Sequence, residues 1–233
     1  MALLGDLQRV FENTYGCRTG VDLERCLVGP ARCAELVIRS GRHAEMSDWA
    51  RFFFYVDDGN LRLALFYGPD MIGALEALDP RRSLGESNVL PFLVFAEELS
   101  HAVHTTFAFR EGGVRRVQGA AFLEELELLA RIDAYLVLRH FVVGLSGRFT
   151  PEDRSWARHH AVARWDVPYE DAAIGGRYRR AARGAARFLD ALEALPPRRQ
   201  IPELRRFRAL PWPAKRARLR QCVEIGQARR SAP

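Results

Sequence analysis

Apolar residues recur along most of the chain at spacings of three and four, the period of a helix that buries one face. Pro30 and Pro91 fall in first helical turns, and Thr150 can cap the segment that follows it. The spacings predict helices at residues 2–12, 22–27, 30–39, 69–78, 88–109, 118–143, 151–164, 169–195, 201–210 and 213–225. The chain is therefore expected to be mostly helical.

One stretch departs from helical spacing. Residues 49–56 are aromatic and β-branched, and residues 61–67 alternate apolar with polar side chains. Asp57-Asp58-Gly59-Asn60 between them is a hairpin turn sequence, so we expect two antiparallel strands. The predicted fold class is mainly α (α+β), with a pair of long helices, a small antiparallel β-hairpin and an all-α C-terminal half.

A glycine-bounded break at residues 144–147 marks the predicted division of the chain. Residues 1–147 are expected to form an α+β core, and residues 148–233 a basic helical C-terminal extension packed on that core. The long helices at 88–109 and 118–143 are too apolar to stand alone. Their short connector predicts antiparallel neighbours, with the hairpin nearby.

Composition indicates a globular protein, because 48% of residues are hydrophobic and 10% are aromatic. The cysteines at 17, 26, 33 and 222 contain no C-x-x-C pair, so neither a zinc ribbon nor a disulfide scaffold is expected. No signal-like segment opens the sequence, and no 18-residue apolar run exists. We therefore expect a cytoplasmic protein with reduced thiols and no membrane span.

The formal net charge is +6, and arginines in the last third of the chain supply much of the excess. Such a surface fits an acidic partner or nucleic acid, but it also fits a solvated helix surface. Because no RNA-binding or helix-turn-helix motif accompanies the charge, we favour the solvated surface and do not expect nucleic acid. A protein or peptide partner and the oligomeric state are not specified by the sequence.

The most informative stretch for chemistry is residues 94–104, VFAEELSHAVH. On a helix Glu97, His101 and His104 lie at i, i+4 and i+7 on one face, with Glu98 on the flank. Acids and imidazoles in an apolar helix need a partner that offsets their desolvation. A metal ion, a second polar network or the groups themselves can provide it.

Residues 96–103, A-E-E-L-S-H-A-V, resemble the A-H-E-L-T-H-A-V form of the H-E-x-x-H helix of zincins, with Glu97 in place of the first histidine. The resemblance implies that Glu97 and His101 are metal ligands and that Glu98 is the general base. It covers residues 89–135. The layout also resembles that of bacterial helical proteins with an E-E-x-S-H helix followed by E-L-E-L, a likeness that supplies no function.

In the gluzincin branch a glutamate of a following helix is the third ligand, often within E-x-x-A-D. Glu127 and Ala130 fit E-x-x-A, whereas Arg131 stands where the family has aspartate, and Asp133 comes two residues later. The resemblance implies a zincin-like, metallopeptidase-like core with one divalent metal. Two carboxylates and one imidazole are a harder ligand set than that of zincins, so zinc is expected, with iron(II) or manganese(II) as alternatives.

Other assignments use the same residues. Glu125 is an alternative to Glu127 as the third ligand, because it shares a helix face with the apolar residues Leu129, Ile132 and Leu136. Glu124 and His104 are further candidate ligands. Glu98 and His101 also form the E-x-x-H of dinuclear carboxylate bundles, but the second E-x-x-H that such bundles need is missing from the sequence. The acids can also pair with His101 or with Arg131 as ordinary polar contacts.

Three functions from different classes follow from these residues. The first is a metal-dependent hydrolase in which Glu97, His101 and Glu127 hold the ion and Glu98 takes a proton from water. The second is a non-catalytic degenerate zincin that serves as a binding or scaffold module, with the basic C-terminal helices as its contact surface. The third is a carboxylate-bridged iron or manganese oxidoreductase.

Overall fold

A computed structural model describes residues 2–40, 49–165 and 172–230. The helices and strands in these parts are α1 (Ala2–Tyr15), α2 (Pro30–Ser40), β1 (Ala50–Asp57), β2 (Asn60–Tyr67), α3 (Pro69–Ala77), α4 (Val89–Arg116), α5 (Ala120–Ser146), α6 (Pro151–Ala161), α7 (Ala172–Glu193), α8 (Pro197–Ala209) and α9 (Trp212–Arg230). Short 3₁₀ turns cover Leu23–Cys26 and Ala163–Trp165. The mainly α class with one small antiparallel sheet is confirmed. The predicted start at 169 of the helix 169–195 lies outside the described residues, as do the residues between the predicted helices at 151–164 and 169–195 from 166 onward.

Strands β1 and β2 form the predicted antiparallel hairpin. Asp58 and Gly59 both have positive φ, of 46° and 75°, as a two-residue turn with right-handed strand twist requires. Phe53 is buried against α2, where it packs with Cys33 and Leu36. Alternate residues of β1 therefore point to the opposite face of the hairpin, which packs against α4.

Helices α4 and α5 are antiparallel neighbours, as predicted. Phe92 meets Phe141 near one end of the pair, with ring centroids 4.9 Å apart. Near the other end Arg116 forms two hydrogen bonds with Glu125, of 2.6 and 2.7 Å. Both helices bury long apolar faces in the main core, so packing rather than local propensity stabilises them.

The connector between these helices is shorter than predicted. The predicted helices at 88–109 and 118–143 leave residues 110–117 between them as the connector. Instead α4 is kinked at Gly113, which has φ 61° and ψ −152°, and resumes to Arg116. Glycine tolerates this conformation without a Cβ clash, so the chain bends and continues in another helical turn.

The main hydrophobic core contains side chains from both sides of residue 147. Helix α7 packs on α5 and buries Ala181, Ala185 and Phe188, and α9 packs on α7. Helix α8 begins at Pro197, four residues before the predicted start at 201. The predicted domain division at 147 stays a prediction. In the described ranges no helix combines the length and apolarity needed to cross a membrane.

Candidate metal centre

Three predicted ligands meet where α4 faces α5. Glu97 and His101 lie one helical turn apart on α4, and Glu127 projects from α5. Nε2 of His101 is 4.0 Å from Oε1 of Glu97 and 3.9 Å from Oε2 of Glu127. One ligand atom from each side chain lies within 4.8 Å of the other two. The three side chains are therefore close enough to hold one metal ion.

The separations around His101 suit an ion better than direct contact. At 3.9–4.0 Å the ring nitrogen is too far from either carboxylate for a hydrogen bond. Ligands about 2.1 Å from a tetrahedral zinc ion are about 3.4 Å apart, so the two distances from His101 exceed that spacing by about 0.5 Å. Nδ1 of His101 is also buried, without a hydrogen bond from the described residues.

His101 has the protonation state that a metal ligand needs. Burial lowers its pKa to about 3, and the positive charge of Arg131 acts in the same direction, with smaller contributions from His104 and Arg177. The imidazole is therefore neutral at physiological pH. A neutral imidazole offers a lone pair to a divalent ion without first losing a proton.

Arg131 is the main departure from a zincin-like site. Its side chain is 2% exposed, and NH2 donates a hydrogen bond to Oε1 of Glu97, the same oxygen that faces His101. Burial raises the pKa of Glu97, although the Arg131 charge and hydrogen bond act against this rise. An ion bound at this oxygen would share it with a guanidinium or displace it.

A second arginine approaches from α7. Nε of Arg177 is 3.6 Å from Oε1 of Glu127, whereas the other oxygen of Glu127 faces His101. Tyr178 is adjacent, and burial together with the nearby Glu127 and Glu97 raises its pKa well above the usual range. Sequence reasoning missed both residues, because they belong to an arginine-rich helix 50 residues beyond Glu127 and carry no motif.

Glu98, the predicted base, lies between the Glu97–His101–Glu127 cluster and the hairpin. The backbone N–H of Phe52 in β1 donates a hydrogen bond to its carboxylate. Burial raises the pKa of Glu98 well above its usual range, and the negative charges of Glu97 and Glu127 raise it further. These surroundings therefore favour the protonated form of the carboxyl group.

A cleft of about 830 Å³ opens beside the cluster. Its lining includes residues 50–56 of β1, Glu98 and His101 of α4, Glu127 of α5 and Arg177 of α7. This volume lies within the range of small-molecule sites. The candidate ligands and the candidate base therefore adjoin a space that a substrate can occupy.

His104 belongs to a different network. Its Nε2 is 2.8 Å from Oδ2 of Asp133, which also accepts a 2.6 Å hydrogen bond from Ser100. The hydroxyl of Tyr15 donates to Oδ1 of Asp133 at 2.5 Å. These four side chains are buried, and we call them the Asp133 network. His104, a further candidate ligand, is thus held by Asp133 and does not join the cluster.

The other two candidate acids also have different partners. Glu125 is buried and pairs with Arg116 and with Lys215, whose Nζ is 2.7 Å from Oε1. Lys215 is fully buried and also donates to the backbone carbonyl of Leu210, so it joins α9 to α5 and to the end of α8. Glu124 pairs with Arg180 at 2.8 Å. The geometry thus brings Glu127, rather than Glu124 or Glu125, to His101.

Among the described residues, the Glu97–His101–Glu127 cluster is the one group of three or more acidic, histidine or cysteine side chains spaced to hold an ion. A dinuclear carboxylate site would need further ligands around it. No protein-family model, no curated protein and no solved structure matches the chain. The case for function therefore depends on the residues of this site.

Proposed function

We propose that the chain binds one divalent metal ion through Glu97, His101 and Glu127 and is a metal-dependent hydrolase of zincin-like type. The convergence of two carboxylates and a neutral imidazole from two helices is the observation that carries this proposal. The ligands lie on rigid helices at the edge of a cleft, as a substrate-accessible site requires. Zinc suits a site with three protein ligands and one open position, and iron(II) or manganese(II) are alternatives for so anionic a set.

Each side chain would contribute a distinct step. A bound divalent ion supplies Lewis acidity and makes water a better nucleophile at neutral pH. Glu98 takes the proton of that water, and the Phe52 N–H holds its carboxylate in place. The two positive charges of an ion would favour the ionised form of Glu98 that a base needs. Arg177 and Tyr178 line the same cleft and are donors for a developing negative charge on the substrate.

Metal analysis of His101→Ala tests the binding site directly. The purified protein should retain about one divalent ion per chain after exhaustive dialysis, by the ligand count of a single site. His101→Ala should lose this ion, because it removes the neutral donor between the two carboxylates. Inductively coupled plasma mass spectrometry measures the content.

His140→Ala is the matched control, because His140 is exposed on α5. This variant should keep the metal content of the unmodified protein. Full metal content in His101→Ala would defeat the proposal. A protein with no retained ion under any loading condition would also defeat it.

One observation favours a second candidate, a non-catalytic binding or scaffold module. Arg131 pairs with Glu97, and Arg177 lies near Glu127, so the cluster has compensating charges without an ion. In that case exposed arginines of the C-terminal helices would provide the contact surface, among them Arg187, Arg198 and Arg216. Absence of bound metal, together with inertness toward esters and peptides, would favour this function.

A further inference from the structure

The cleft beside the Glu97–His101–Glu127 cluster has one end with charged lining residues and one end without them. Among the residues that the structure describes, the charged and imidazole side chains that line it are Arg51, Glu98, His101, Glu127 and Arg177. Arg51 lies on the other face of β1 from Phe52, because its NH1 donates a hydrogen bond to Sγ of Cys33 at 3.9 Å. Its charge therefore belongs to the α2 side of the strand, and the charged end is formed by the other four side chains. Lining residues from 53–59 and from 114–126 contribute no charged side chain.

Strand β1 extends an apolar wall from the charged end toward the uncharged end. Phe52 lies near His101, with ring centroids 6.4 Å apart, and stacks on Phe54 at 5.6 Å. Phe54 in turn meets Phe122 of α5 edge to face at 5.8 Å. Phe52, Phe54 and Val56 share one face of the strand, which covers about 13 Å at the usual rise of 3.3 Å per residue.

A satellite hydrophobic cluster closes the uncharged end. Its buried members are Ala108, Val117, Phe122 and Leu126, and Phe54 and Val56 pack against them. Phe54 and Val56 are only half-buried, and both line the cleft. A ligand group at this end would cover apolar surface, whereas a charged group would lose hydration without a charged partner from the lining.

We infer that the substrate carries a medium-length, uncharged apolar acyl group that lies along β1, an inference that rests on the proposed hydrolase function. The acyl carbonyl would lie at the charged end, and the chain would extend past Phe52 and Phe54 toward Val117. In the reaction, water oxygen bonds to the acyl carbon, and the bond from that carbon to the ester oxygen breaks. One proton of the water passes through Glu98 to the leaving alcohol, and a carboxylic acid forms.

Binding of alkan-1-ols tests the apolar end without using the metal. Calorimetric titration of butan-1-ol, hexan-1-ol and octan-1-ol into metal-free protein should show affinity that rises about fourfold per methylene group, the value for full burial of apolar surface. Leu123→Trp fills the uncharged end, because Leu123 lines it from α5. It should flatten this dependence on chain length.

Leu145→Trp is the matched control, since Leu145 is exposed on the same helix and does not line the cleft. Val56→Phe narrows the same end from β1 and should also flatten the series, so the test does not depend on one variant folding. Affinity that is independent of chain length in the unmodified protein would overturn the inference. An unchanged chain-length dependence in both cleft variants, each with a native circular dichroism spectrum, would also overturn it.

A second probe separates this inference from the metal proposal. Octanohydroxamic acid combines a metal-chelating group with an apolar chain, and acetohydroxamic acid has the same chelating group with a single methyl. In zinc-loaded protein the longer compound should bind at least tenfold more tightly, and Leu123→Trp should remove this difference. Equal affinities would overturn the acyl inference alone. A normal alkanol series in a protein that never holds zinc, iron(II) or manganese(II) would defeat the metal proposal and the hydrolytic step, and it would leave the apolar end as a binding site for an alkyl chain.

Discussion

Two polar clusters lie on the same pair of helices, and both combine histidine with carboxylate. In the Asp133 network, His104 is 2.8 Å from its carboxylate, and Ser100 and Tyr15 complete the hydrogen bonds of Asp133. In the cluster around His101, the ring nitrogen is 3.9 Å or more from both carboxylates, and Nδ1 has no hydrogen bond from the described residues. The hydrogen bonds of the first network are made within the protein, whereas the three side chains of the second lie close enough to hold an ion between them.

The difference shows that residue type alone does not identify a metal site. Buried histidine and aspartate stabilise a fold when every donor and acceptor is satisfied. The same groups become candidate ligands when helices hold them too far apart to hydrogen-bond one another. Mutations at the two clusters should therefore change different properties. A change at Asp133 should mainly lower stability, and a change around His101 should mainly alter metal binding or catalysis.

The largest expected effect on stability is at Asp133. Asp133→Ala leaves the buried polar groups of Tyr15, Ser100 and His104 without their common acceptor, at a cost of about 3–5 kcal/mol of unfolding free energy. Asp190→Ala is the control, because Asp190 is exposed and its pair with Arg158 should contribute less than about 1 kcal/mol. Urea denaturation measures both variants. Equal destabilisation would contradict the assignment of Asp133 as a structural centre.

Glu98→Gln should have the largest effect on catalysis. Glutamine keeps the shape and accepts the Phe52 hydrogen bond, but it cannot take a proton from water. Hydrolysis of an acyl ester should fall by about 10²- to 10⁴-fold at unchanged metal content. Glu76→Gln, an exposed change on α3, should leave the rate unchanged. Retention of full activity in Glu98→Gln would remove Glu98 from the mechanism.

Arg131→Met should increase metal affinity. The guanidinium and an ion would compete for Oε1 of Glu97, and removal of a nearby positive charge favours a cation. We expect zinc to bind at least about tenfold more tightly, a change of about 1.4 kcal/mol, in titrations against a chelator. Arg177→Met should give a smaller increase, because Arg177 faces the oxygen of Glu127 that points away from His101. Unchanged affinity in Arg131→Met would show that Arg131 and the ion do not compete.

A further expected effect is a pH dependence of stability from His101, which accumulates over several pH units. Its pKa is about 3 in the fold and near 6.5 in an unfolded chain, so between these values only the unfolded chain is protonated. The stability of metal-free protein should fall as pH decreases from 6.5, by at most about 1.4 kcal/mol per pH unit from this residue. His101→Phe should remove this component, and His140→Phe should retain it, in urea denaturation between pH 7 and pH 4. Parallel pH profiles for unmodified protein and His101→Phe would contradict the buried neutral imidazole.

The sequence predicted the elements better than it predicted their partners. The helix pair and the hairpin follow from apolar periodicity and from the Asp-Gly turn, which are local signals. The extension of α4 past Gly112 was missed, because a single kinked residue at Gly113 lets the helix resume. Whether a glycine ends or bends a helix depends on the packing of the next turn.

The candidate site shows the same limit. The spacing predicted that Glu97 and His101 share one helix face, but it left Glu125 and Glu127 as alternative third ligands. The two glutamates are distinguished by the side chains that contact them from other helices, and the local sequence does not show these contacts. Arg116 and Lys215 bind Glu125, and Lys215 lies 90 residues further along the chain. Arg177 was missed for the same reason. Long-range partners of this kind carry no local pattern.

Lys215 is the only lysine in the sequence, and it is fully buried against Glu125. Reagents that acylate amines should therefore leave this side chain unmodified while α9 stays packed, even though burial lowers the pKa of its amine to about 8. A label at residue 215 can form only when α9 separates from α5 and α8. Since no second lysine competes for the reagent, the rate of that labelling reports directly how often the C-terminal helix opens.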